Sequence, residues 1–152
     1  MDEATISQLE RRRAAWKFEW ESLLRREPLI TALGNPDTLV FKMDQTIDAV
    51  LALLRKDLSS HARRTTLATP YERHCACRMN PLGKFYATGE LALRAIGHVI
   101  PPRELEIALA RFHLYGIDEI ECLCSVCQNR MKPGFPPAGS TAWGTHCAAY
   151  RG

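Results

Sequence analysis

No nucleotide or hydrolase signature occurs in this sequence. A Walker loop, a Rossmann glycine fingerprint, H-E-x-x-H, G-x-S-x-G, the C-x-x-C-H of haem attachment and the H-x-E with P-C-x-x-C of zinc deaminases are all missing. Each is the compact set of groups its chemistry requires, so none of these site types is expected. Net charge is scarce as well: 20 basic residues nearly cancel 17 acidic ones, leaving +3. That is too little to argue for nucleic acid or an anionic membrane as a partner. The opening MDEATISQLERRRAAW places acids first and has no apolar run, which reads as neither a signal peptide nor a membrane anchor. A cytoplasmic location with reduced thiols is expected. Strand alternation, internal repeats and low-complexity tracts are lacking too.

What the sequence does have is helical periodicity. From Ile6, the apolar positions Leu9, Trp16, Trp20, Leu23 and Leu24 recur at helical spacing and predict a first helix ending near Pro28. Tryptophans at i and i+4 read as core rather than as a ligand platform. Asn35-Pro36-Asp37 offers an N-cap residue followed by proline at the first helical position. The stripe Leu39, Met43, Ile47, Val50, Leu54 and Leu58 then predicts a second helix to about Ser59. Residues 60–81 have no apolar period and read as a loop. Leu82, Phe85, Tyr86, Gly89, Leu93, Ile96 and Ile100 mark a third helix, which Pro101-Pro102 ends while opening a fourth. Leu105, Ala108, Leu109, Phe112 and Tyr115 form the buried face of that fourth helix. Gly116 suits a left-handed C-cap, and Asp118 with Glu121 resembles a capping box for a short fifth helix.

The expected fold class is therefore all-α. The pattern predicts an irregular bundle of four or five helices with a Cys-rich pole, one domain over residues 1–128 with the Cys-rich loop 60–81 inserted. Residues 129–152, rich in Pro and Gly, read as an extended C-terminal tail. A chain of 152 residues buries a sufficient core without covalent staples, so its six cysteines need another explanation.

Five of the six fall in two short stretches, HCAC at 74–77 and CLCSVC at 122–127. Helices three and four, joined by a tight Pro-Pro turn, should run antiparallel, which brings the loop before the third to the segment after the fourth. Cysteines at i and i+2 face the same way only on an extended segment, whereas i and i+3 do so on a helix. This selects Cys75 and Cys77 from the loop with Cys124 and Cys127 from the short helix as a tetrahedral Cys₄ site for Zn²⁺. His74 and Cys122 stand as replacements, and His146 with Cys147 in the tail could complete or add a site. An iron–sulfur cluster would use the same thiolates. Core packing competes for Cys124 and Cys127, which share a face with Ile120 and Leu123. For Cys75 and Cys77, a polar loop flanked by Arg73 and Arg78 argues against it.

Three functions follow. The leading expectation is a non-enzymatic helical regulatory or adaptor protein pinned by structural zinc and acting through a protein partner. A redox or metal sensor carrying an iron–sulfur cluster or labile zinc is the alternative. A small zinc-dependent enzyme ranks third, because Glu72, Glu119 and Glu121 are the only acids near the clusters. The basic stretch HARRTT at residues 61–66 reads as a solvated surface. His98 and His113 fall on the third and fourth helices, where they could meet across the hairpin, yet lack a supporting motif.

Overall fold

A computed structural model describes residues 1–29, 31–57, 69–75 and 78–126. Among them are five α-helices and no strand, so the fold is all-α. None of these helices is long and apolar enough to cross a membrane. Leu58, HARRTT, Cys77, Cys127, the Pro/Gly-rich tail and half of the loop 60–81 lie outside the described residues.

Helix α1 spans Glu3–Arg11 and is started by Asp2, whose carboxylate accepts the Thr5 N–H at 2.7 Å. Arg12, at φ −91° and ψ 5°, interrupts the helix, and α2 then runs over Arg13–Leu24. The single first helix expected from periodicity is thus two. The apolar stripe carries through the break unaltered, which is why it gives no warning. The break redirects its two halves: α1 packs mainly on α3, whereas α2 packs mainly on α4.

Helix α3, Pro36–Asp57, begins as expected, with Asn35 Oδ1 accepting the Asp37 N–H at 3.0 Å and Pro36 in the first turn. Its stripe Leu39, Met43, Ile47, Val50 and Leu54 is buried. Arg13 and Lys17 of α2 pair with Asp44 and Asp48 of α3, while Arg55 of α3 reaches Glu3 and Glu10 of α1. These pairs lie at the surface and each contributes at most about 1 kcal/mol.

Helix α4, Leu82–Ile96, and helix α5, Pro102–Ser125, form the hairpin, joined through a 3₁₀ turn at Gly97–Val99. A second correction concerns α5, which runs unbroken through Gly116 and Asp118 where a cap and a new helix were expected. The glycine serves packing instead of termination. A Cβ built on Gly116 would lie 2.7 Å from Tyr86 Cγ and 2.9 Å from Tyr71 Cε1, so only hydrogen leaves room for those rings.

The centre of the bundle is aromatic. Trp16 and Trp20 of α2 are buried against Phe85 and Phe112, with Trp20 centred 4.5 Å from Phe85 and 5.4 Å from Phe112. Burying each such side chain contributes about 1.5–3 kcal/mol or more. Both indoles also hydrogen-bond into α4: Trp20 Nε1–H donates to the Phe85 carbonyl at 2.8 Å, and Trp16 Nε1–H to that of Gly89 at 3.2 Å. The tryptophans are core, as the spacing predicts.

Candidate functional site

The segment before α4 meets the end of α5, as the hairpin argument requires. Residues 69–75, which include a 3₁₀ turn at Tyr71–His74, lie across the hairpin as a strap. His74 Nδ1 is 2.7 Å from Glu121 Oε1, and Nε2 is 2.9 Å from Thr69 Oγ1. A carboxylate only accepts, so Nδ1 donates to Glu121. Both ring nitrogens of His74 are thereby engaged in docking the strap. Glu121 and Glu119, the acids beside the second cluster, hold His74 and Lys42 respectively.

Asn80 makes the second junction. Its Nδ2 donates to the Ile120 carbonyl at 3.0 Å and reaches Cys124 Sγ at 3.1 Å, while its Oδ1 accepts the Leu82 N–H at 2.9 Å at the start of α4. One side chain therefore opens α4 and touches the sulfur in the last turn of α5. An N–H directed at sulfur is the contact a thiolate ligand takes from its surroundings.

The sulfurs differ in state. Cys75 is buried at 4 % exposure in the apolar core and Cys124 is half-buried; both are thiols. Burial of Cys75 corrects the expectation that a polar loop would leave it in water: Tyr71 of the strap tucks inward, and the chain carries Cys75 with it. Backbone at Cys75 is extended, at φ −127° and ψ 105°, and its carbonyl accepts the Arg78 N–H at 3.1 Å. Arg78 is left-handed, at φ 58°. Cys122 is half of a disulfide, which departs from the expectation of reduced thiols, and a sulfur in that state supplies no thiolate to a metal. Cys77 and Cys127, the other two members of the expected Cys₄ set, lie outside the described residues, as do His146 and Cys147. Among the described residues no group of three or more His, Cys, Asp or Glu side chains is gathered for a metal ion.

The other end of the strap holds a buried polar cluster. His113 of α5, at 7 % exposure, points Nδ1 at Glu90 Oε2 at 3.1 Å and Nε2 at the Thr69 carbonyl at 3.0 Å. Tyr71 O–H donates to the same Glu90 oxygen at 3.1 Å. The hydrogen bond to Glu90 raises the His113 pKa above 6.5. Burial pushes Glu90 upward, but the bonds from His113 and Tyr71 outweigh it and leave its carboxyl below 4.5. Burial, with Glu90 beside it, raises the Tyr71 phenol. His98 is exposed and bonds the Ala95 carbonyl, so the two hairpin histidines have separate partners.

No protein-family model matches the chain, and no similar curated protein or solved structure is found. The site accordingly rests on its own geometry.

Two groups at this site escape sequence reasoning for different reasons. Asn80-Pro81 repeats the Asn-Pro signal that marks Asn35-Pro36, and in both the asparagine Oδ1 accepts the N–H two residues on. Glu90 and His113 carry no local pattern, because their contact exists only once α4 and α5 are paired.

Proposed function

We propose that this protein is a non-enzymatic helical regulatory or adaptor module whose Cys-rich segments are pinned by a structural zinc ion. Cys75, Cys77, Cys124 and Cys127 would hold the ion as a closed tetrahedral set, leaving no position for substrate. The observation that carries this reading is the Asn80 junction, where the loop before α4 touches the last turn of α5 at Cys124 Sγ, 3.1 Å away. It supports convergence of the two cysteine segments through atoms that core packing alone would not select. A Cys₄–zinc unit carries two negative charges, and Arg73 and Arg78 flank the first pair. Acting through a protein partner belongs to the same reading, since a module without chemistry of its own works by contact.

The disulfide at Cys122 favours a second reading, a redox sensor with labile zinc or an iron–sulfur cluster. Disulfide and thiolate states draw on the same pool of sulfur atoms, so oxidation and metal release would be linked. One experiment tests both readings: the protein is purified without air and its metal content and visible spectrum are measured before and after mild oxidant. Colourless protein with one zinc per chain that survives oxidant is the expected result. Zinc lost with disulfide formation, or visible absorption from iron–sulfur, would shift the assignment to the sensor. Absence of both metals would refute the metal site.

A further inference from the structure

His113 is enclosed by oxygen acceptors. Its Nε2 faces the Thr69 carbonyl and its Nδ1 faces the Glu90 carboxylate, at 3.0 and 3.1 Å. Neither a carbonyl nor a carboxylate can donate, so both ring nitrogens must carry hydrogen, which only the imidazolium does. Neutral imidazole would turn a lone pair toward one of the two oxygens. His74 at the far end of the strap differs: its second nitrogen meets the Thr69 hydroxyl, which can donate, so its neutral form satisfies both contacts.

We propose that His113, with Glu90 and Thr69, is a pH-operated latch: the imidazolium ties the start of the strap of residues 69–75 to the hairpin, and its deprotonation loosens the strap from Thr69 onward. The surroundings bear this out. From α4, Glu90 and Arg94 face the latch, and Arg94 is shared with Glu90 and Glu106 of α5 at 3.6 and 3.2 Å. From the strap, Tyr71 stacks on His113 with ring centres 4.4 Å apart and donates to Glu90. Among the described residues Glu90 is the carboxylate bonded to His113, and Tyr71 of the strap donates to it as well. The Thr69 carbonyl meets Nε2, so the tie at the start of the strap is the one neutral imidazole gives up, while Tyr71 and His74 stay bonded to Glu90 and Glu121.

The sign follows from linkage. A histidine whose folded pKa is raised stabilises the docked form fully below its unfolded value near 6.5 and loses that contribution as pH rises through the folded value. The latch is therefore closed in mild acid and opens toward the alkaline side. Each unit by which the His113 titration is raised corresponds to about a tenfold change in the docking equilibrium. The proposal concerns the strap and stands whether or not zinc binds.

Two measurements on the full chain test it. The imidazole resonances of His113 are titrated by NMR, assigned by their loss in His113→Asn. Amide hydrogen exchange of residues 71–75 is followed over the same pH range, corrected for intrinsic rates and referred to an α2 peptide. A His113 midpoint above 6.5, with strap protection falling as pH rises through it, is expected. Glu90→Gln keeps an oxygen for both partners but removes the charge, and should lower the midpoint. A His113 midpoint at or below about 6.5, or protection that stays flat while His113 titrates, overturns the latch. Should Glu90→Gln fail to fold, the wild-type titration and exchange decide alone.

Discussion

Two glycines of one helix should respond to the same substitution with opposite signs. Gly83 and Gly89 both lie in α4, so alanine at either gains helix propensity, up to about 0.8–1 kcal/mol in a helix interior. At Gly83 a Cβ would meet nothing within 4 Å, so Gly83→Ala should stabilise the fold by about 0.5 kcal/mol, less than the full gain because it sits in the first turn. At Gly89 the same atom would fall 2.5 Å from Trp20 Cε2, 2.6 Å from Trp20 Cζ2 and 2.6 Å from Phe112 Cζ. These are ring atoms of fully buried side chains on two different helices, and neither ring can swing into solvent. Withdrawing Trp20 would also stretch its 2.8 Å bond to the Phe85 carbonyl, worth about 1 kcal/mol. With overpacking at about 1–3 kcal/mol added and propensity subtracted, Gly89→Ala should cost about 2 kcal/mol. Urea unfolding followed by circular dichroism measures both. With a slope of about 2 kcal/mol/M, the Gly89→Ala midpoint should drop by about 1 M while the Gly83→Ala midpoint rises by a few tenths. If Gly89→Ala is as stable as the parent, the packing reasoning is wrong.

Further outcomes follow from the same contacts. Asn80→Ala removes the bond to the Leu82 N–H at the start of α4 and both bonds to α5, and should lower stability by about 1–2 kcal/mol in thermal unfolding; if zinc binds as proposed, its affinity should fall about 10- to 100-fold by competition with a chelator. Arg55→Ala, which breaks exposed pairs with Glu3 and Glu10, should change stability by less than about 1 kcal/mol and less still at high salt. Stability measured against pH should fall on both sides of a mildly acidic maximum. The contribution of Glu90 is present above 4.5 and lost as pH falls through its lowered folded value, whereas that of His113 is lost as pH rises through its raised one. Glu90→Gln should flatten both limbs.

The elements that were legible in the sequence are those whose signals are local. Asn35-Pro36 and an unbroken stripe define α3, and Pro101-Pro102 defines the hairpin that brings Asn80 to Cys124. Other features depend on partners far along the chain. Gly116 has the same local appearance whether it caps a helix or makes room for Tyr71 and Tyr86, and only the packed structure distinguishes the two. The break at Arg12 leaves the hydrophobic phase intact, so periodicity reads through it. Cys75 was expected in a polar setting because its neighbours in sequence are charged, yet burial is decided by the strap that Tyr71, His74 and Thr69 dock. The zinc set stands between these cases, since its two segments were placed by topology while half of its sulfurs fall outside the described residues.

The indole bonds from α2 to α4 also set an order of events during synthesis. Trp20 bonds the carbonyl of a residue 65 positions later, and Trp16 one 73 positions later. At about 5–20 residues per second, the ribosome delivers Phe85 some ~3–13 s after Trp20. For that interval the tryptophan face of α2 lacks the surface it was shaped to fit, and α3 offers it only a minor contact. The α4–α5 hairpin, by contrast, closes over a short turn and can form as soon as it emerges. Nascent chains arrested before α4 should therefore present two exposed tryptophans to any chaperone at the exit tunnel, and chains arrested after α5 should not.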